Sequence, residues 1–158
     1  MEIEIKKTIE FEKAFLIAQS LPEYFNEGGL NQIKEDLPIQ IVFGAYEDDN
    51  LLAFISYNEI NEQTVELSWL AVKEDKQRKG VGTKLVRESL KEIGQAYDLC
   101  QVKTLAETVE DEGYARTRNF YNKLGFIPIE IIDPFPGWDA GNPCQIMVKF
   151  LHKFDKKE

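Results

Sequence analysis

Three features of this 158-residue sequence have residue types and spacings suited to chemistry: a carboxylate at Glu66, a basic glycine turn from Gln77 to Thr83, and a phenol at Tyr121. The turn, Gln77-Arg78-Lys79-Gly80-Val81-Gly82-Thr83, follows the apolar run Leu67 to Val72 and leads into a helical pattern ending near Tyr97. Strand, basic turn and helix start in that order make an anion site. The first-turn N–H groups of a helix lack intrahelical acceptors, and the macrodipole favours negative charge beside them. Gly80 and Gly82 permit positive φ, or close approach of a bulky ligand to the backbone. Gln77, Arg78 and Lys79 add side-chain donors. A Walker A loop is excluded, because Gly82 is followed by Thr83 and then Lys84, the wrong order. The dinucleotide fingerprint is excluded too, since Leu85 stands where its third glycine belongs.

The elements that must position these groups follow from periodicity. Ile3 to Ile9 alternates as a first strand, and Phe11, Ala14, Phe15, Ala18 and Leu21 recur at helical spacing until Pro22. A short second helix is expected from about Leu30 to Leu37, after a Gly28-Gly29 break. Ile39–Tyr46 and Leu51–Tyr57 form a hairpin across a polar turn, and Thr64–Val72 is the next strand. Strand alternation puts Glu66 and Ser68 on one side, with Val65, Leu67 and Trp69 on the other. The helix from Gly82 to Tyr97 has an apolar stripe of Leu85, Val86, Leu90, Ile93 and Tyr97. Val102 to Val109 supplies a strand reached by a crossover, hence parallel to its predecessor. A helix over Ala115–Leu124 ends at Gly125, which fits a left-handed cap. Ile127–Ile132 and Gln145–Leu151 are the last strands, separated by a proline-rich loop.

Composition bounds the rest. The length suits one domain spanning residues 1–158. With 28 acidic and 19 basic residues the formal charge is −9, which argues against a nucleic-acid surface. The excess charge either favours approach of a cationic partner or serves solubility. No apolar run is long enough for a membrane span and no leader is recognisable, so a cytoplasmic location is expected, with Cys100 and Cys144 as reduced core thiols. The single His152 excludes a histidine-based triad, and no metal site is expected.

The spacing Gln77-x-x-Gly80-x-Gly82 resembles the pyrophosphate-binding motif of the GNAT superfamily of N-acetyltransferases. Asn119-Phe120-Tyr121-Asn122-Lys123-Leu124-Gly125-Phe126 resembles that family's Phe-Tyr-x-x-x-Gly-Phe segment, and Asn142 to Lys149 resembles the last strand of many bacterial members. The element order agrees from about Ile39 onward. The resemblance implies an α+β, acyl-CoA N-acyltransferase fold: a mixed, mostly antiparallel sheet with parallel fourth and fifth strands, flanked by helices. It implies acetyl-CoA as co-substrate, no metal, and an amine acceptor that attacks the thioester directly. Family members often form dimers, so a homodimer is compatible with it.

What the resemblance implies for single residues follows. Leu70, Ala71 and Val72 would pair with the pantetheine arm where the fourth and fifth strands splay. Backbone amides from Gln77 to Thr83 (Gln77, Arg78, Lys79, Gly80, Val81, Gly82, Thr83) would hold the pyrophosphate. Family members often carry Asn seven residues before the tyrosine; here that position is Tyr114, so Asn119 or Arg118 is the substitute cofactor contact. Glu66 is either the base that removes the ammonium proton or a strand-edge ion-pair partner; Glu107 is the reserve. Tyr121 is either the acid that protonates the departing thiolate or a packing residue. Tyr24, Phe25, Phe135 and Trp138 would wall the acceptor cleft. A small-molecule primary amine is the expected acceptor. A protein N-terminus or lysine, or binding of coenzyme A without turnover, are the alternatives.

Overall fold

The computed structural model of the protein describes residues 2–106, 112–139 and 141–152. Among the described residues, seven strands form one sheet in the order β1-β2-β3-β4-β5-β7-β6. They are β1 (Glu4–Lys7), β2 (Ile41–Glu47), β3 (Asn50–Glu59), β4 (Thr64–Val72), β5 (Leu99–Leu105), β6 (Ile127–Ile132) and β7 (Cys144–Phe150). The helices are α1 (Phe11–Gln19), α2 (Glu27–Asp36), α3 (Val81–Ile93) and α4 (Glu112–Lys123). Every neighbouring pair is antiparallel except β4–β5, which is parallel. The expected mixed sheet with a parallel centre is what the chain forms.

Alternating side chains give the sheet two apolar faces. On one, Val65, Leu67, Cys100, Val102 and Met147 pack with Val81, Leu85, Val86, Leu90 and Ile93 of α3, and with Tyr121 of α4. On the other, Val42, Phe54 and Ala71 pack against Ala14, Ile17 and Ala18 of α1 and Ile33 of α2. The β2–β3 hairpin turns through Asp48 and Asp49, both at positive φ (47° and 68°), as a two-residue turn requires. Gly125 at φ 93° terminates α4 as its position suggested.

Four expectations are corrected. The glycine pair does not break α2: Asn26 accepts the Gly29 N–H at 2.8 Å and caps the helix, so Gly28 and Gly29 form its first turn. Strand β5 begins at Leu99, three residues earlier than expected, because Asp98 and Leu99 donate to the Gln63 carbonyl and bring the chain alongside β4 immediately. The first strand spans only Glu4–Lys7, since Thr8 turns away to accept the Glu10 N–H at α1. Trp69 lies on the opposite face from Val65 and Leu67. Ser56 pairs with Trp69 and Tyr57 with Leu67, so Ser68 is an extra residue in a β-bulge. One inserted residue inverts the alternation downstream.

Candidate active site

The parallel β4–β5 ladder is short. It pairs Thr64 with Leu99, Val65 with Cys100 and Glu66 with Gln101, and there it stops. Strand β4 continues to Val72 on β3, while β5 continues to Leu105 on β7. Between Leu67–Val72 and Val102–Leu105 the facing edges therefore carry backbone groups with no ladder partner, and a slit opens in the sheet. Leu70, Ala71 and Val72 lie on its β4 edge. On its β5 edge Thr104 is 3 % exposed, yet its hydroxyl has no hydrogen-bond partner among the described residues. Buried polar groups of this kind cost free energy until something satisfies them.

The glycine turn stands at the end of β4. The Gln77 side chain does not point outward; its Nε2 donates to the Val72 carbonyl at 2.9 Å and ties the turn to the strand. Arg78 and Lys79 are exposed, and Arg78 takes φ 61°. Gly80, at φ 83°, precedes α3, and the first bond of that helix runs from Lys84 N–H to the Gly80 carbonyl at 3.0 Å. The N–H groups of Val81, Gly82 and Thr83 come before that bond, and α3 has no acid in its first turn. A Cβ on Gly82 would meet Val72 and Phe120 only at ordinary contact distance, 3.6–3.9 Å. Folding alone does not demand glycine there. The open amides, the uncrowded Gly82 and the slit edges, which lack ladder partners across the gap, together fit a long ligand with an anionic centre.

Glu66 sits where the β4–β5 ladder ends. Its Oε1 accepts from Gln101 Nε2 at 2.9 Å and lies 3.0 Å from Lys103 Nζ. Lys103 also lies 4.7 Å from the centroid of the Phe135 ring, which packs against Trp138 at 5.7 Å. Phe25 packs against Trp69, whose indole N–H donates to Asp36 at 2.9 Å. Two aromatic pairs thus stand on the sheet face that carries Glu66. Tyr24 is 58 % exposed and joins neither pair. Glu107 lies outside the described residues.

Tyr121 projects into the other face, between Phe120 and Phe126 with ring centroids at 5.3 and 5.4 Å. Burial, and to a lesser degree neighbouring Cys100, raises its phenol above the usual value, so it is protonated at neutral pH. Glu66 and Tyr121 stand on opposite faces of the sheet. Asn119 is exposed and has no partner among the described residues. The Arg118 guanidinium donates to the Leu105 carbonyl at 2.7 Å and so braces α4 against the end of β5. Lys103 and Gln101 were not singled out from sequence, and Phe120 was read only as part of the Phe-Tyr segment. Alternation from Cys100 would have placed Gln101 and Lys103 on the Glu66 face once the register with β4 was known.

Comparison with known proteins adds the family. The model of the acetyltransferase (GNAT) family matches residues 8–126, about three quarters of the chain. The chain belongs to that family. This GNAT acetyltransferase is also similar to solved structures along nearly its whole length. A GNAT-family protein from Desulfovibrio desulfuricans superposes with a TM-score of 0.83 at 20% identity, over 96% of this chain and 100% of that one. An aminoglycoside 6'-N-acetyltransferase complexed with coenzyme A gives 0.75 at 19% identity, over 97% and 99%. The ribosomal-protein-S18-alanine N-acetyltransferase from Escherichia coli gives 0.69 at 18% identity, over 99% of both chains. No curated protein matches the sequence. The GNAT fold is shown, and with the family comes acetyl-CoA as acetyl donor. Among the described residues, no helix is long and apolar enough to cross a membrane, and no group of three or more His, Cys, Asp or Glu is placed to hold a metal.

Proposed function

We propose that this GNAT acetyltransferase moves the acetyl group of acetyl-CoA to a primary amine of a small molecule, by direct attack while both are bound. The observation that carries this reading is the Glu66 carboxylate at the mouth of the β4–β5 slit, beside Phe135 and Trp138. The amides of Val81, Gly82 and Thr83, assisted by exposed Arg78 and Lys79, hold the diphosphate. Leu70, Ala71, Val72 and Thr104 line the slit that takes the pantetheine arm. When bound, the donor supplies an activated acyl group and a thiolate leaving group. A slit-edge backbone amide polarises the carbonyl.

Two proton movements fall to side chains. Glu66 receives the ammonium proton, directly or through a water; a carboxylate is a far weaker base than an amine, so positioning has to compensate. Tyr121 donates a hydrogen bond toward the departing sulfur. Its phenol, harder to ionise than usual, passes its proton to the sulfur only as the C–S bond breaks and regains one from the nitrogen of the new amide, so the products are the amide and the free thiol. Direct transfer is favoured over an acyl-enzyme because both thiols are protonated. Burial pushes Cys100 up to about 12 and raises Cys144 too.

The experiment is an amine-panel screen with thiol detection, run beside an acetyl-CoA binding titration and including a peptide amine. Turnover of small amines, lost in Glu66→Gln with binding retained, supports the reading. Cofactor binding without thiol release for any amine overturns it in favour of a binding module. Turnover of the peptide alone makes the protein a protein acetyltransferase.

A further inference from the structure

Lys103 is a cation standing where the acceptor's own amine would be expected. Its ammonium is 3.0 Å from Glu66 Oε1 and 4.7 Å from the Phe135 ring centre, and its side chain is 29 % exposed against 14 % for Glu66. The pair is mostly shielded from water and internally neutral. Both donors on Glu66, Gln101 and Lys103, converge on Oε1. Oε2 has no partner among the described residues and remains able to accept from an incoming ammonium.

We propose that the acceptor is an amino-acid-like zwitterion, whose carboxylate is recognised by Lys103 while its amine is presented to Glu66. This rests on the acetyl-transfer reading and names its substrate class. The argument is electrostatic. A monocation or polycation arriving at Glu66 adds positive charge beside a lysine that has little water to screen it, and the cation–π position over Phe135 is already taken by Lys103. A zwitterion inserts without changing the local charge: its ammonium takes Glu66 Oε2 and its carboxylate takes the Lys103 donors that Glu66 leaves free. An ammonium carries three donors on a flexible stem, so Lys103 reaches a carboxylate without leaving Phe135. The Phe135–Trp138 pair then offers its apolar surface to the rest of the acceptor.

The test compares matched acceptors: phenylalanine against phenylalaninamide, and β-alanine against β-alaninamide, with spermidine as the polycation. The amide's amine is the less basic of each pair, so the chemical bias runs against the expected result. The carboxylate member is expected to have kcat/KM higher by about ten- to hundredfold, the size of one charge-assisted contact. Lys103→Met is expected to erase that difference through KM, and Lys103→Arg to retain it. Equal or better use of the amides or of spermidine overturns the proposal while leaving acetyl transfer intact. So does a Lys103→Met variant that lowers both members of a pair alike, or turnover of none of these acceptors by protein that turns over another amine of the panel. Failure to bind acetyl-CoA removes the reading beneath the proposal, and is seen separately in the titration.

Discussion

The Phe120 ring edge lies 3.7 Å from the point where a β-carbon on Gly82 would stand, so α4 closes over the start of α3 without filling the space that glycine leaves. The two glycines of the turn are therefore glycine for different reasons. Gly80 needs its φ of 83°, and alanine there should cost about 1–2 kcal/mol of stability. Gly82→Ala should leave stability unchanged or raise it by less than about 1 kcal/mol. Yet it should weaken acetyl-CoA by about tenfold or more, because the methyl occupies the diphosphate's approach. Thermal melting without ligand, set beside a binding titration, separates the two.

Glu66→Gln keeps the shape of the side chain and its contact with Gln101 but removes the acceptor of the proton. Its kcat should fall by about 10²- to 10³-fold with acetyl-CoA affinity unchanged. Steady-state rates and a cofactor titration on the same preparation check this. Equal losses in both would mark Glu66 as a structural residue.

Tyr121→Phe preserves the ring packing on Phe120 and Phe126, so stability should change by no more than about 1 kcal/mol. Turnover should fall by about ten- to hundredfold if the hydroxyl serves the leaving thiolate. Since burial raises the phenol above 10, the wild-type rate should show no decline from ionisation of Tyr121 below that pH. A pH–rate profile of both proteins reads this out.

Alkaline stability should be governed by acids buried in the protonated form. Cys100 is pushed up to about 12 from an ordinary 9.0, chiefly by burial, and burial also raises Tyr57 and Tyr121. The unfolded thiol loses its proton first, so above about pH 9 the unfolded state binds fewer protons and unfolding becomes easier. The stability these groups contribute is complete below pH 9 and is lost progressively towards the folded value of about 12. Urea midpoints should therefore fall as pH rises from 9 to 10.5, and the fall should be shallower in Cys100→Ala.

The order of elements, the parallel β4–β5 centre and the glycine turn at the start of α3 were legible in the chain, because each rests on local pattern and short connections. Alternation marked Thr64–Val72 as a strand, helical spacing marked α3, and Gly80 and Gly125 stand where positive φ was expected. Asn26 was the missed local signal: a cap residue read as part of a break. Three things needed the tertiary structure. The Ser68 bulge, which moves Trp69 to the face that carries Glu66, exists only in the register between β3 and β4. The slit exists only because β4 and β5 part after Glu66 and Gln101. Lys103 meets Glu66, 37 residues away in sequence, because β4 and β5 lie side by side. Sequence decides what a residue offers to its near neighbours along the chain, since backbone geometry and hydrogen bonding act over a few residues. Which carboxylate meets which ammonium is set by strand register and by where pairing stops, and those depend on the packing of the whole sheet.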